Sequence, residues 1–226
     1  MNNLNFFHTA YANTSQELLS QLYGLRKEVF SDRLNWNVNI TNGFEYDAYD
    51  NAQASYLIGS WQGVPLAGLR LINTLHPYMV EVPFRHFFEY APPKHALMVE
   101  SSRFFVDKTR SRALGLAHVP LTEMLLFALH NHAARQGLTS VITVVSHAMS
   151  RIVRKAGWDY EVLDTGNASP GEKVLLLDMT VTAQNHAQLL TAIAKKYPSM
   201  DQRILQWPAT APAHPQVYTE QATTAA

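Results

Sequence analysis

From residue 97 to residue 107 the chain reads Leu-Met-Val-Glu-Ser-Ser-Arg-Phe-Phe-Val-Asp, the composition of a buried strand interrupted by four polar side chains. The apolar flanks pull the run inside, and a charge taken out of water is costly unless it is paired. Any fold this chain adopts must therefore bring partners to Glu100 and Arg103. On a regular strand side chains alternate, which predicts Glu100 and Ser102 on one face and Ser101 and Arg103 on the other. The two charges then cannot neutralise each other, and each needs a partner from elsewhere. Two readings fit: the floor of a chemical site, or a buried ion-pair network without chemistry.

A chain of 226 residues that is 47% hydrophobic can bury a sizeable core, and one α/β or α+β domain is the simplest arrangement. Lys plus Arg and Asp plus Glu both number 18, so no basic excess invites nucleic acid. Without cysteine there is neither disulfide nor thiol catalysis, and no pair of histidines has the H-E-x-x-H spacing, so no metal is expected. No basic n-region with an apolar core opens the chain, and no apolar run reaches about 18 residues. The expectation is a cytoplasmic protein without membrane insertion.

Thr14-Ser15-Gln16-Glu17 is a capping-box pattern followed by Leu18, Leu19, Leu22, Leu25 and Val29 at helical spacing, which predicts a helix over 16–30 with Arg26 and Lys27 on its solvated face. Residues 31–50 have no sustained period but carry Trp36, Phe44, Tyr46 and Tyr49 among Glu45, Asp47 and Asp50, the mark of a lid or binding loop. A hairpin over 54–61 and 66–74 follows, with Arg70 on its second strand. Pro120 opens a helix that stops at Gly137, and 138–146 is a β-branched run suited to a strand buried on both faces. A short helix over 147–156 ends at Gly157, strands over 158–164 and 173–180 flank a turn-rich 165–171, and a last helix covers 185–197. From Trp207 onward Pro, Ala and Thr dominate, which predicts a loosely held tail over 207–226 after a domain of residues 1–206.

This order of elements resembles the acetyltransferase-like (GNAT-like) α/β acyltransferases: a single three-layer domain with a central mixed sheet whose two central strands splay. Arg112-Ala113-Leu114-Gly115-Leu116-Ala117 spells their R-x-x-G-x-A pattern, but Gly115 falls several residues before the helix that Pro120 opens, so an ordinary connecting loop is the better reading. A closer resemblance rests on Arg26, Phe30, Trp36, Glu45, Asp47, Asp50, Arg70 and Glu100-Ser101-Ser102-Arg103, together with the blocks 30–36 and 102–108. These match the pattern of the acyl-homoserine-lactone synthases, the quorum-sensing autoinducer synthases. The resemblance implies transfer of an acyl chain from acyl carrier protein to the amine of S-adenosylmethionine, then lactone closure with release of methylthioadenosine. It requires no cofactor, since S-adenosylmethionine is a substrate.

The residues can be weighed against that chemistry. An ammonium must lose a proton before it attacks a thioester, and a carboxylate in an apolar strand can have its pKa raised enough to accept one. Glu100 is the candidate base, directly or through water; the alternative is that it only braces Arg103 or Arg70. Acids and aromatic faces suit a sulfonium, which points to Asp47, Asp50, Phe30 and Trp36. Arg26, Arg70 and Arg103 either grip the substrate carboxylate or tie down the acidic loop that carries Glu45. For the acyl chain, Ser101, Leu126, Leu129, Thr143, Val145, Ser146, Met149 and Ile152 are candidate pocket walls, although residues of each kind are more often just core. In the resembling family a threonine at the position of Thr143 goes with 3-oxo-acyl substrates, which implies a 3-oxo chain, and the bulky leucines with Met149 closing the pocket point to a medium length of about six to eight carbons. Arg151, Arg154 and Lys155 form a basic cluster opposite the inward face expected for Met149, Ile152, Val153 and Ala156, and are either a dock for an acidic carrier protein or a solvated face. An acetyl-CoA-dependent N-acetyltransferase and a non-catalytic sensor of small molecules are the competing functions.

Overall fold

Alternating apolar side chains make Ala54–Trp61 (β4) and Val64–Asn73 (β5) a hairpin, turned at Gln62 and Gly63, which both take positive φ. The chain, known from a computed structural model that describes residues 3–169 and 171–210, builds one mixed sheet around this hairpin. Its other strands are Leu4–Ala10 (β1), Met98–Val106 (β6), Ser140–Ser146 (β7), Glu161–Ser169 (β8), Glu172–Thr180 (β9) and Ala209–Thr210 (β10). They lie in the order β10-β1-β4-β5-β6-β7-β9-β8. A separate two-stranded ladder, Ile40–Thr41 (β2) with Phe44–Glu45 (β3), folds the aromatic loop back on itself.

One sheet face presents Leu57, Leu69, Leu71, Val99, Val141 and Leu177 to the helices Leu121–Arg135 (α3) and Ala183–Lys196 (α5), and to Val153 at the inner side of His147–Lys155 (α4). The opposite face receives Leu19, Leu22 and Leu25 of Gln16–Arg26 (α1) on Tyr56, Ile58 and Phe105. Beside α1, Tyr78, Val80 and Phe88 pack on Ile72, Ile142, Val174 and Leu176. The result is the expected three layers. Each buried leucine of α1 contributes about 2 kcal/mol, which fixes that helix against the sheet.

Where sequence and structure coincide, the local reasons hold: Ser15 caps α1 by accepting from the Leu18 amide, and Ser146 caps α4 by accepting from Met149. Beyond Arg26 the helix widens into a π turn over Lys27–Arg33, with the Leu34 amide reaching back to the Val29 carbonyl at 3.1 Å. Four expectations need correction. β1 was not anticipated, nor was Lys108–Ala113 (α2), which Asp107 caps through the amides of Thr109 and Arg110. The segment read as turn-rich, 165–169, is strand, held by pairing with β9 across two register shifts. The tail does not begin at 207, because Trp207 is buried against Phe6 and β10 pairs with β1; the rest of it, 211–226, lies outside the described residues. Among the described residues no helix is long and apolar enough to cross a membrane.

The feature that places the site is the central parallel pair. β6 and β7 match at Met98↔Ser140, Val99↔Val141 and Glu100↔Ile142, and there the ladder stops, although β6 continues to Val106 and β7 to Ser146. The strands splay from Glu100 outward.

Candidate active site

Regular alternation on β6 fails at one residue. Arg70 pairs with Ser102 but Gly68 pairs with Phe105, so β6 carries one extra residue, and Arg103 there adopts φ 55. This left-handed bulge corrects the expectation of opposite faces, because it swings Arg103 to the side of Glu100 and Arg70. Arg103 and Arg70 both bind Asp47, and both point at the Met79 sulfur, at 3.4 and 3.1 Å.

Three arginines and three acids then form a closed buried network. The Arg26 guanidinium grips both oxygens of Asp50 at 2.8 and 3.0 Å and donates through Nε to Glu45. Arg103 donates to Glu45 at 2.9 Å and to Asp47 at 2.7 Å, and Arg70 to Asp47 at 2.5 Å and to Ser102 at 3.3 Å. Arg70 also lies 3.1 Å from Asp50, which accepts a further bond from the Tyr56 hydroxyl at 2.9 Å. Arg26 therefore leaves the solvated stripe expected of it; at 2% exposure it belongs to the buried side of α1, while its neighbour Lys27 pairs with Asp32 near the surface. The tying role foreseen for the arginines is the one the geometry displays.

Burial alone would push Asp50 up, but Arg26 and Arg70 outweigh it and hold its carboxyl below the usual carboxylate range. Burial also opposes the charge on Arg26 and Arg70, and the carboxylates overcome it and raise both. Burial lifts the Tyr23 phenol, which hydrogen-bonds Tyr56, to about 12.

Glu100 is different in kind. It is 2% exposed, and its two oxygens accept from the backbone amides of Met79 at 3.1 Å and Val80 at 3.0 Å rather than from a cation. Burial pushes its carboxyl above the ordinary range, and the two amides with the fields of Arg70 and Arg103 pull back only part of the way. Three guanidinium charges face four carboxylates here, so the site carries one negative charge when Glu100 is ionised.

At the neighbouring wall Phe30 and Trp36 stack at 5.3 Å with an interplanar angle of 5°, and Phe30 meets Phe105 edge-on. Phe30 is buried, whereas Trp36 keeps 52% of its surface in solvent, an aromatic face left available on the loop.

On the helix side of the splay, Ser101 and Thr143 follow Val99 and Val141 on the same sheet face, so they look at each other across the opening strands. Leu126 and Leu129 are buried in the core on this face, where α3 lies mainly over β1, β4 and β5, and Val145 and Met149 are partly buried against the same core. Two candidate walls are corrected: Ile152 is 41% exposed, and Ser146 is exposed and spends its hydroxyl on the α4 cap. The inward residues of α4 are Ser150, Val153 and Ala156, a face rotated away from Ile152. Arg151, Arg154 and Lys155 are exposed as expected, with Arg154 resting 4.4 Å above the Tyr160 ring. Gly115 takes φ 74 just after α2 and ahead of α3, a helix stop rather than a phosphate loop.

The model of a family described as autoinducer synthase matches residues 10–189. An acyl-homoserine-lactone synthase of Pseudomonas amygdali pv. tabaci is 61% identical over 199 residues, 88% of each chain. The chain belongs to the acyl-homoserine-lactone synthase family. Among solved structures, a CoA-dependent acyl-homoserine lactone synthase, BjaI, with SAM and isopentyl-CoA, superposes with a TM-score of 0.75 at 19% identity, covering 95% of both chains. A putative N-acetyltransferase from Lactobacillus plantarum matches with a TM-score of 0.53 at 20% identity, covering 80% of this chain and all of its own, which confirms the acetyltransferase-like fold of the synthase.

Sequence reasoning missed Met79 and Val80, whose contribution is backbone amide and carries no residue signature, and Tyr56. Tyr56 was within reach: hairpin register sets it opposite Arg70.

Proposed function

We propose that the synthase moves an acyl chain from acyl carrier protein to the α-amine of S-adenosylmethionine, with Glu100 as the base. The amine gives its proton to Glu100, directly or through one water, and attacks the thioester carbonyl; the carrier thiolate leaves. The substrate carboxylate then displaces methylthioadenosine from the γ-carbon and closes the lactone. The observation that carries this reading is the place of Glu100. A carboxylate that burial makes more basic ends the β6–β7 ladder, at the point where the strands open for a thioester arm. The single excess negative charge beside Trp36 suits a sulfonium, and the backbone N–H groups at the splay are the donors we assign to the oxyanion. No cofactor enters the scheme, and we place it in the cytoplasm.

The basic α4 surface favours an acidic carrier protein as donor, and Thr143 favours a 3-oxo chain of about six to eight carbons in a pocket of this kind. Thiol release from 3-oxo-acyl carrier protein, measured with and without S-adenosylmethionine, tests the proposal. We expect release only with S-adenosylmethionine, and faster than from the matching acyl-CoA. Equal or better turnover of acyl-CoA would replace the carrier protein as donor, and release without S-adenosylmethionine would overturn the acceptor.

A further inference from the structure

The two amides that hold Glu100 belong to a segment with little regular structure, residues 76–91, and its order comes from a chain of contacts. The Met79 carbonyl accepts from Phe84 at 3.0 Å, Phe84 accepts from Phe87 at 2.9 Å, and Arg85 donates to the Phe88 carbonyl at 2.6 Å. The far end is fixed on β8. Asp164 accepts there with one oxygen from the amides of both Glu89 and Tyr90, each at 3.0 Å. Two residues on, Gly166 lies so close to the Phe87 carbonyl that a Cβ at this position would fall 2.0 Å from its oxygen. Asp164 and Gly166 therefore form a notch, one residue supplying an acceptor and the other the absence of a side chain, on a strand whose second half reads as turn in the sequence.

We infer that Asp164 and Gly166 of β8 are positioning residues for Glu100, acting through the segment 79–90 whose amides hold its carboxylate. The inference rests on the reading of Glu100 as the base. The contacts are continuous: the β8 notch, Glu89 and Tyr90, Arg85 and Phe88, Phe84, Met79, Glu100. A segment released from β8 loosens the Met79 and Val80 amides, which are the two neutral donors that favour the ionised form of Glu100. The charged neighbours Arg70 and Arg103, and Tyr49 nearby, stay in place, while Tyr78 and Glu81 lie on the segment itself and move with it.

Two measurements on the full chain test this, hydrogen exchange of the segment 76–91 and the pH profile of kcat/KM. Asp164→Ala should speed exchange of the Met79 and Val80 amides by about tenfold, the scale of one or two lost hydrogen bonds. It should also move the acidic limb of the profile to higher pH, with the KM for S-adenosylmethionine unchanged. Asp164→Asn keeps an acceptor oxygen and should restore both. Gly166→Ala should act in the same direction more strongly; Asp164→Ala decides the matter if Gly166→Ala fails to fold. Unchanged exchange in Asp164→Ala overturns the positioning role whatever Glu100 does. Faster exchange with an unmoved acidic limb also overturns it. Full activity in Glu100→Gln instead removes the base reading, while the exchange result still reports on the notch.

Discussion

The two sides of the sheet at the splay are built on opposite terms. On the α1 side every guanidinium of Arg26, Arg70 and Arg103 is claimed by at least two acceptors, and the loop 44–50 is locked to the strands by charge. On the α3 side the walls are aliphatic, and the Thr143 hydroxyl makes no hydrogen bond among the described residues. A buried ionic network tolerates no half measures, since removing one partner strands a charge in the interior, whereas an apolar wall accepts changes of shape at modest cost. The side we assign to the substrate common to all turnovers is thus rigid. The side we assign to the variable acyl chain is adjustable.

The largest effect should come from breaking the ionic side. Arg70→Met leaves Asp47 and Asp50 short of a cation and should cost about 3–5 kcal/mol in chemical denaturation. A loss under about 1 kcal/mol would mean that water already screens the network and that the contrast between the two sides is false. Next comes Glu100→Gln, expected to lower kcat/KM by about 100-fold while leaving the fold intact. The sign with pH follows from the raised carboxyl: the base must be ionised, so the wild-type rate falls on acidification, from a pH above the ordinary carboxylate range. That limb should vanish in the glutamine variant; near-normal turnover would make Glu100 structural.

On the adjustable side the effects shrink. Thr143→Val keeps the volume and removes the hydroxyl, so competing 3-oxo and unsubstituted acyl donors should shift by about 1 kcal/mol toward the unsubstituted product. Product ratios that do not move would reduce Thr143 to packing. The smallest change belongs to the surface. Arg151→Glu with Arg154→Glu should raise the KM for acyl carrier protein a few-fold at low salt, less so at high salt, and leave S-adenosylmethionine alone. A KM unchanged at low salt would remove α4 as the dock.

Much of this was legible in the chain. Capping at Ser15, the hairpin over β4 and β5, and the helix after Pro120 are local matters of spacing, and each lies close to where spacing puts it. The network was legible as a demand, because Arg70 and Arg103 on strands require acids and the loop 31–50 supplies them. What alternation cannot reveal is where it breaks. An arginine at positive φ has no sequence signature, and the bulge reverses the face of Arg103. The second half of β8 was hidden for a related reason: Thr165 to Ser169 have turn propensities that pairing with β9 overrides. The Glu100 cradle was invisible because any residue except proline carries an N–H, and Arg26 was misplaced because its position on the helix does not say that two buried acids, Glu45 and Asp50, wait opposite.

The bulge at Arg103 also bears on attempts to harden this enzyme. A side chain held at φ 55 carries backbone strain of about 1 kcal/mol or more, which glycine would relieve and which asparagine tolerates better. A search for heat-resistant variants scored on folding alone would look at residue 103 and see a defect to repair, yet its guanidinium joins Glu45 to Asp47 across the site. Such a search should therefore be run under selection for product, or with that codon fixed.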